Sequence, residues 1–291
     1  MNCSFIKGRK RDPRADEAGT VNYRSQYLAK KAVNYNWKTN PKKPEVFLDE
    51  SYCNKNHVSD RSWLLPDRVR YMSSGRGERY CIVGAMVMFM QNGRLKGSWV
   101  RDSLKYWPSK NSAKEDYHGN FNAELFEKWF FDLCITLLID FGSCRIHMDG
   151  AGYHKRNLHP QPTNAWVKEK IQIWLEEREI YYEPNYTKKQ LLALAETQRQ
   201  SPLYAAVEIA RTCGHEVIYT PPYHPELQPI ELAWAMLKNW IAKNPALSME
   251  ELGQKIGQRL NSFTSKNFVN FFRHVQRQEK VYRDTQQEEE N

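Results

Sequence analysis

The sequence predicts an α/β fold: a mixed sheet of three antiparallel strands plus two further strands, flanked by helices, with a helical insertion before the third of three key acidic residues. Three observations carry this. Short β-type apolar runs recur, and two of them end on an acid, Asp49 after Val46-Phe47-Leu48 and Asp149 after Ile146-His147-Met148. Two more apolar runs, Arg79 to Gln91 and Leu95 to Val100, flank Asn92-Gly93, a pair suited to a two-residue hairpin because both turn positions need positive φ. From Asn122 to Phe141, the residues Leu125, Phe126, Trp129, Phe130, Leu133, Cys134, Leu137 and Leu138 recur at the spacing of one helical face.

Residues 1–44 read as a basic N-terminal arm. Its first 43 residues hold eleven bases against three acids, a net of eight positive charges out of +9 for the whole chain. Such an arm suits a polyanion, with Arg9, Lys10 and Arg11 as candidate DNA contacts and salt-dependent binding as the consequence. The plain alternative is a solvated, disordered tail or a nuclear import signal around Lys7 to Arg14.

Glu45 to Cys53 reads as a buried strand with Asp49 on it, and residues 59–79 as a loop anchored by Trp63. The hairpin and the long helix follow. Arg145 to Asp149 is a short strand cut off by Gly150, and helical patterns return over Thr163 to Glu179 and Thr187 to Cys213. Glu216 to Thr220 is the last strand. Pro221-Pro222 stops it, and Pro229 opens a helix to about Lys243, since proline presets φ at the first helical position. Two small helices, Met249 to Phe263 and Lys266 to Gln276, precede a polar, disordered tail from Gln286. The domain reading is therefore an arm over 1–44, a catalytic domain over 45–243 with its insertion at about 163–213, and C-terminal helices with a tail over 244–291.

At 291 residues, 41% hydrophobic and 26% charged, the chain can bury a sizeable core, so one large domain with appendages is expected. No run approaches the roughly 18 to 20 apolar residues of a membrane span, and the N-terminus lacks an apolar signal core. The reading is a soluble protein that is not secreted and has no membrane partner. Six widely spaced cysteines without a Cys-x-x-Cys pair read as reduced core residues. The lack of a His/Cys cluster, a phosphate-cradling Gly-rich loop or a Gly-x-Ser-x-Gly elbow argues against zinc enzymes, nucleotide kinases and serine hydrolases.

The acids Asp49, Asp149 and Glu231 are the candidate catalytic and metal-binding residues. Two carboxylates about 4 Å apart repel by about 4 kcal/mol at an effective dielectric near 20, so three converging acids either protonate or hold a cation. Oxygen donors favour a hard divalent ion, Mg²⁺ or Mn²⁺. Two such ions about 3.5 to 4 Å apart serve in-line phosphodiester displacement. Glu231 falls in the first turn after Pro229, where the helix dipole favours an ionised carboxylate. Taken singly, acids at strand ends are common and structural; the three together, with their flanks, are what points to a site.

The order of elements is that of a ribonuclease H-like sheet, and three segments narrow it further. Phe-Leu-Asp-Glu-Ser-Tyr at 47–52, His-Met-Asp-Gly-Ala-Gly-Tyr-His at 147–154 and Pro-Pro-Tyr-His-Pro-Glu-Leu-Gln-Pro-Ile-Glu-Leu-Ala-Trp at 221–234 together resemble the catalytic domain of mariner-type DDE transposases. Asp116-Tyr117-His118 to Phe121-Asn122 is similar to that family's eukaryotic members. The resemblance spans roughly residues 45–243. It implies a divalent-metal triad, cutting of duplex DNA at transposon ends and joining to a target. It also implies a homodimer in a synaptic complex and, for a eukaryotic source, a place in the nucleus. By matching position, Asp49 and Asp149 are the first and second ligands and Glu231 the third.

Gln228 stands where many members have Asn, and Gly150 stands where many have Asn after the second acid. Asn caps a helix start better than Gln, so the turn before Glu231 is expected to be less fixed. The 81 residues between Asp149 and Glu231 exceed the spacing of compact members. Full-length members carry paired helix-turn-helix modules before the catalytic domain. Residues 1–44 show no two-helix pattern, so the expectation is a catalytic domain without its end-recognising part.

Glu50 should point to the face opposite Asp49 and so is at most an accessory ligand. His154 either approaches substrate phosphate or orders a loop, and His224 stabilises its turn. Lys238, seven residues after Glu231 and on its helical face, meets the DNA backbone or is simply solvated. Trp129, Trp174, Trp234 and Trp240 fit helix packing. Two functions remain open at this point: a metal-dependent endonuclease and strand-transfer domain, or a catalytically idle, domesticated descendant retained for DNA or protein binding. A general nuclease on the same fold is a third, which the 221–234 segment disfavours.

Overall fold

The computed structural model describes residues 11–57, 75, 77–109 and 122–290, with side chains to residue 285. Among these residues the strands are β1 (Glu45–Asn54), β2 (Arg79–Gln91), β3 (Arg94–Trp99), β4 (Lys105–Ser109), β5 (Arg145–Met148) and β6 (Glu216–Tyr219). They form one sheet in the order β3-β2-β1-β5-β6, with β4 also paired to β2. β1, β2 and β3 are antiparallel, whereas β5 runs parallel to both β1 and β6. Asn92 and Gly93 both take positive φ at the β2–β3 hairpin, as the Asn-Gly pair requires.

The two faces of the sheet bury separate cores, and strand alternation assigns residues to each. Val46, Leu48, Val83, Ala85 and Ile146 face α2 (Ala123–Phe141) and α5 (Ala205–Thr212), meeting Phe126, Phe130, Leu137 and Ala210. Phe47, Ile82, Met86 and Met88 face the other way, onto Ile230, Trp234, Ile256 and Phe272 of α6 (Pro229–Lys243), α7 (Met249–Asn261) and α8 (Ser265–Glu290). Each such large side chain withdrawn from water contributes about 1.5 to 3 kcal/mol. α2 starts where its spacing predicts: the Asn122 side chain accepts the Leu125 backbone N–H at 2.9 Å. The five described cysteines are all buried free thiols.

Several expectations are corrected. Arg11 to Lys43 is no loose arm. A short 3₁₀ turn leads into α1 (Ala18–Val33), whose Arg24, Tyr27, Leu28 and Lys31 are buried. Half of that buried stripe is cationic, so it carries no apolar period. Lys31 spends its charge on Glu279 of α8 at 2.6 Å, with both side chains fully buried. A sixth strand, β4, lies outside the strands expected from the sequence; it contains Pro108, and as a partner of β2 alone it is an edge strand, where proline is tolerated. α8 continues to Glu290 through the segment expected to be a disordered tail. The insertion is smaller than 163–213, because α5 belongs to the main core. Only α3 (Lys168–Glu176) and α4 (Lys188–Thr197) form a separate cluster, around Ile171, Trp174, Leu175 and Leu191. Trp63 and the 116–121 segment lie outside the described residues.

Candidate active site

Parallel pairing of β1 with β5 sets Phe47 opposite His147, so two residues further along Asp49 comes level with Asp149. The strand period turns Asp49 toward α6 and Glu50 to the other face. After β6 the chain turns: the Thr220 N–H bonds the Met148 carbonyl at 2.8 Å, Tyr223 takes φ of 62°, and Pro225 and Pro229 start a 3₁₀ turn and α6. Glu231 lies in the first turn of α6. Asp49, Asp149 and Glu231 thereby line one cavity of about 630 Å³, with Lys155, His224 and Tyr23 among its other walls.

The electrostatics of the three acids differ. Burial, then the charges of Glu231, Glu50 and Asp149, hold the Asp49 carboxyl well above the usual range, against a hydrogen bond from Trp234. Burial also raises Glu231, with Asp149 adding to it and Lys238 opposing. Asp149 ends up lowered: burial pushes it up, but His154, the Ala151 N–H and Lys155 together outweigh that. His154 Nδ1 meets Asp149 Oδ1 at 2.6 Å and its Nε2 lies 3.3 Å from Glu50 Oε1. Against the effect of burial, these two carboxylates push the imidazole up to about 10.

The donor set suits a hard divalent cation. All three side chains offer oxygen, and a cation would relieve the like-charge stress that raises Asp49. Trp234 occupies Oδ2 of Asp49, His154 and Ala151 occupy Oδ1 of Asp149, and the Glu231 carboxylate accepts no hydrogen bond among the described residues, so each acid keeps at least one oxygen for a ligand. Among the described residues, no three Asp, Glu, His or Cys side chains already converge as a metal cage. The three acids share a cavity without forming such a cage.

The remaining candidates divide. Lys238 is half-buried and close enough to Glu231 to favour its ionised form. His154 is 1% exposed and used by Asp149 and Glu50, so it orders the loop after β5 and is not available to a phosphate. His224 is buried between Glu226 and the Ala15 carbonyl, a turn-stabilising place. Arg11 pairs with Asp16 at 2.6 Å, while Arg9 and Lys10 lie outside the described residues. Gln228 makes no side-chain cap and reaches Thr220 at 3.5 Å, in keeping with its weaker capping chemistry. A Cβ on Gly150 would come 2.7 Å from Lys155 Nζ, so the glycine leaves room for that lysine beside Asp149.

Three participants were not read from the sequence as site residues. Trp234 donates to Asp49, Tyr153 donates to Glu50 at 2.9 Å, and Tyr23 of α1 reaches the Tyr219 carbonyl at 3.3 Å beside the cavity. Trp234 carried a signal: it lies three residues after Glu231, on a neighbouring part of the same helix.

A mixed sheet with acids on its first strand, directly after its fifth, and at the start of a later helix is a ribonuclease H-like fold. The chain belongs to the DDE superfamily endonucleases, whose family profile matches residues 106–253. That stretch contains Asp149 and Glu231; Asp49 lies before it and is joined to them by the β1–β5 pairing. Among solved structures, the Mos1 mariner paired-end complex with Mn superposes with a TM-score of 0.55 at 12% identity, over 97% of this chain and 64% of that one. The pre-cleavage Mos1 transpososome gives 0.53 at 11% identity, over 98% and 65%. The Mos1 strand transfer complex gives 0.53 at 11% identity, over 96% and 64%. At these identities the likeness is one of fold, and the chain spans about 64% of the length of the proteins it matches. No curated protein matches the chain.

Proposed function

We propose that this chain is a mariner-like DDE transposase domain that cuts and joins duplex DNA, with Asp49, Asp149 and Glu231 holding two Mg²⁺ or Mn²⁺ ions. The observation that carries the reading is that these three acids, from β1, the end of β5 and the first turn of α6, line one cavity. Bound divalent ions would supply activation of the attacking oxygen and stabilisation of the leaving one. In the cutting step, water attacks phosphorus and the bond to the 3′ oxygen breaks, leaving a 3′-hydroxyl and a 5′-phosphate. In the joining step that 3′-hydroxyl attacks a target phosphodiester and releases the target's own 3′ oxygen. Membership of the DDE endonucleases supports the reaction class. The likeness to the Mos1 paired-end and strand transfer complexes supports transposon ends and their joining as the substrate reading; a homodimer in a synaptic complex remains part of the proposal.

The chain's own groups have definite tasks in this scheme. Trp234 fixes the rotamer of Asp49, His154 fixes Asp149, and Lys238 favours the ionised Glu231. Plasmid nicking in Mn²⁺ tests the proposal, with wild type beside Asp149→Ala. Nicking by wild type, falling at least 100-fold in the variant, is the expected result (roughly 2.7 kcal/mol of barrier). Equal background in both would instead favour a catalytically idle, DNA-binding descendant.

A further inference from the structure

On α6, the residues Leu232, Met236, Asn239 and Lys243 lie roughly 100° around the helix from Glu231 and Lys238, and they form one wall of a second cavity. This groove, of about 710 Å³, runs between α6, α7 and α8, far around the helix from the acids. Its cations are Lys243, Arg259, Arg273 and Arg277. An adjoining cavity of about 350 Å³ shares Arg273 and Arg277 and adds Lys280 and Arg283. Among the described residues, no carboxylate lines either one.

We infer that this basic track is a second nucleic-acid surface, which seats the phosphate backbone of a duplex DNA segment other than the one in the acid cavity. The bland alternative is a solvated basic helix face, and three observations weigh against it. Arg273, Arg277 and Lys280 follow i, i+4, i+7 spacing, so α8 presents them as a row. Arg273 to Arg283 covers about 15 Å of helix, along which a duplex offers roughly nine phosphate charges. Lys243, Arg277, Lys280 and Arg283 form no ion pair among the described residues, whereas Arg273 is spent on Thr39, Asn40 and Gln276 as the strut of the groove. Arg259 is held at 5.9 Å and 5.4 Å from the ring centroids of Trp240 and Phe263, its buried Nε without a hydrogen bond.

The spacing of the cations decides between polyanions. A row of outward cations along one helix matches the evenly spaced phosphates of a duplex better than the irregularly placed carboxylates of an acidic peptide. The choice of DNA rests on the proposed function; the track itself does not.

The test measures binding of a short labelled duplex by fluorescence anisotropy in EDTA across a salt series. Compared with wild type, the variant Arg277→Gln/Lys280→Gln/Arg283→Gln should bind more weakly, and its slope of log K against log salt should shrink by about 2 to 3, since each phosphate contact contributes about 0.9. Lys168→Gln/Lys170→Gln/Lys189→Gln, in the α3–α4 unit, should match wild type. All variants change side chains with outward-facing ends, and unchanged thermal melting checks their folding. An unchanged slope in the α8 variant, an equal loss in the α3–α4 variant, or competition by polyglutamate as strong as by DNA would overturn the inference. Because binding is read without metal, a chain that binds through the track but never nicks refutes only the cleavage reading. Nicking with an unchanged slope refutes only the track.

Discussion

The indole Nε1–H of Trp234 donates to Oδ2 of Asp49 at 3.0 Å, tying the helix that carries the third acid to the strand that carries the first. Trp234 is fully buried and stacks on Trp99 at a centroid separation of 5.5 Å, so its ring cannot turn away. Trp234→Phe removes the donor while keeping an aromatic ring. It should cost about 1 to 3 kcal/mol of stability, through the lost bond and lost volume. It should also raise the Mn²⁺ concentration needed for half-maximal nicking, because an unsupported Asp49 protonates more readily. Urea melts and a Mn²⁺ titration of nicking check the two effects, and an unchanged titration would remove Trp234 from the site.

Glu45 at the start of β1 should make stability fall with rising pH. It is fully buried; burial pushes its carboxyl up to about 7, Lys31, Asn34 and Arg145 oppose, and Glu279 adds to the rise. His147, neutral because burial lowers it well below its usual range, lies 3.9 Å away and offers no charge. The folded state therefore binds this proton more tightly than the unfolded chain. The contribution is fully present below the ordinary carboxylate range and is lost as pH climbs toward 7, by an amount on the order of 2 to 3 kcal/mol. Glu45→Gln retains an acceptor for Asn34 and abolishes the titration. The wild-type minus variant difference in unfolding free energy should therefore shrink or reverse between pH 5 and 8, about that span of the titration, and a flat difference would exclude Glu45 as the cause.

Lys31 sits among Phe47, Tyr27 and Phe272, with its Nζ 4.8 Å, 5.8 Å and 5.7 Å from their ring centroids, and pairs with Glu279 in the same enclosed space. Lys31→Met strands a buried carboxylate and should cost about 3 to 5 kcal/mol, whereas Lys31→Met/Glu279→Leu removes both charges and should fall within about 1 to 2 kcal/mol of wild type. Denaturant unfolding of the single and double variants measures the difference directly. Equal losses in the two would mean that packing, not charge, is what the pair supplies.

The same pair shows what was legible in the sequence. The strands other than β4, together with α2 and α6, announce themselves through apolar period, the Asn-Gly turn and the helix-starting proline, and the three acids are visible because each lies at the edge of such a run. α1 does not, because its buried face includes Arg24 and Lys31, and no local pattern reveals that Glu279, 248 residues away, will neutralise one of them. Trp234 shows the same limit at the site. Its position marks it as a core residue, and only the β1–α6 packing adds the hydrogen bond to Asp49. His154 is the converse: a histidine near an acid suggests substrate contact, yet the ring is enclosed between Asp149 and Glu50.

The α3–α4 unit should be dispensable for folding of the sheet. Its apolar residues, Ile171, Trp174, Leu175, Leu191 and Ala195, pack on one another and belong to neither of the cores flanking the sheet. Its neck is a narrow ladder: Asn157 bridges Tyr204 antiparallel, the Leu158 N–H bonds the Leu203 carbonyl at 2.8 Å, and the Ala205 N–H bonds the Arg156 carbonyl at 2.9 Å. Paired backbones of this kind can be closed by a two-residue turn. Joining Asn157 to Tyr204 through Gly-Gly therefore keeps α5 against α2 and keeps His154 on Asp149. The shortened chain should unfold cooperatively, with a stability loss below about 2 kcal/mol, because the area it gives up was buried within the removed unit. It should also retain nicking within severalfold, since no acid or positioning residue has been touched. Insoluble or non-cooperative protein would show instead that the unit supports the core. Cooperative folding with nicking abolished would assign the unit a part in holding DNA.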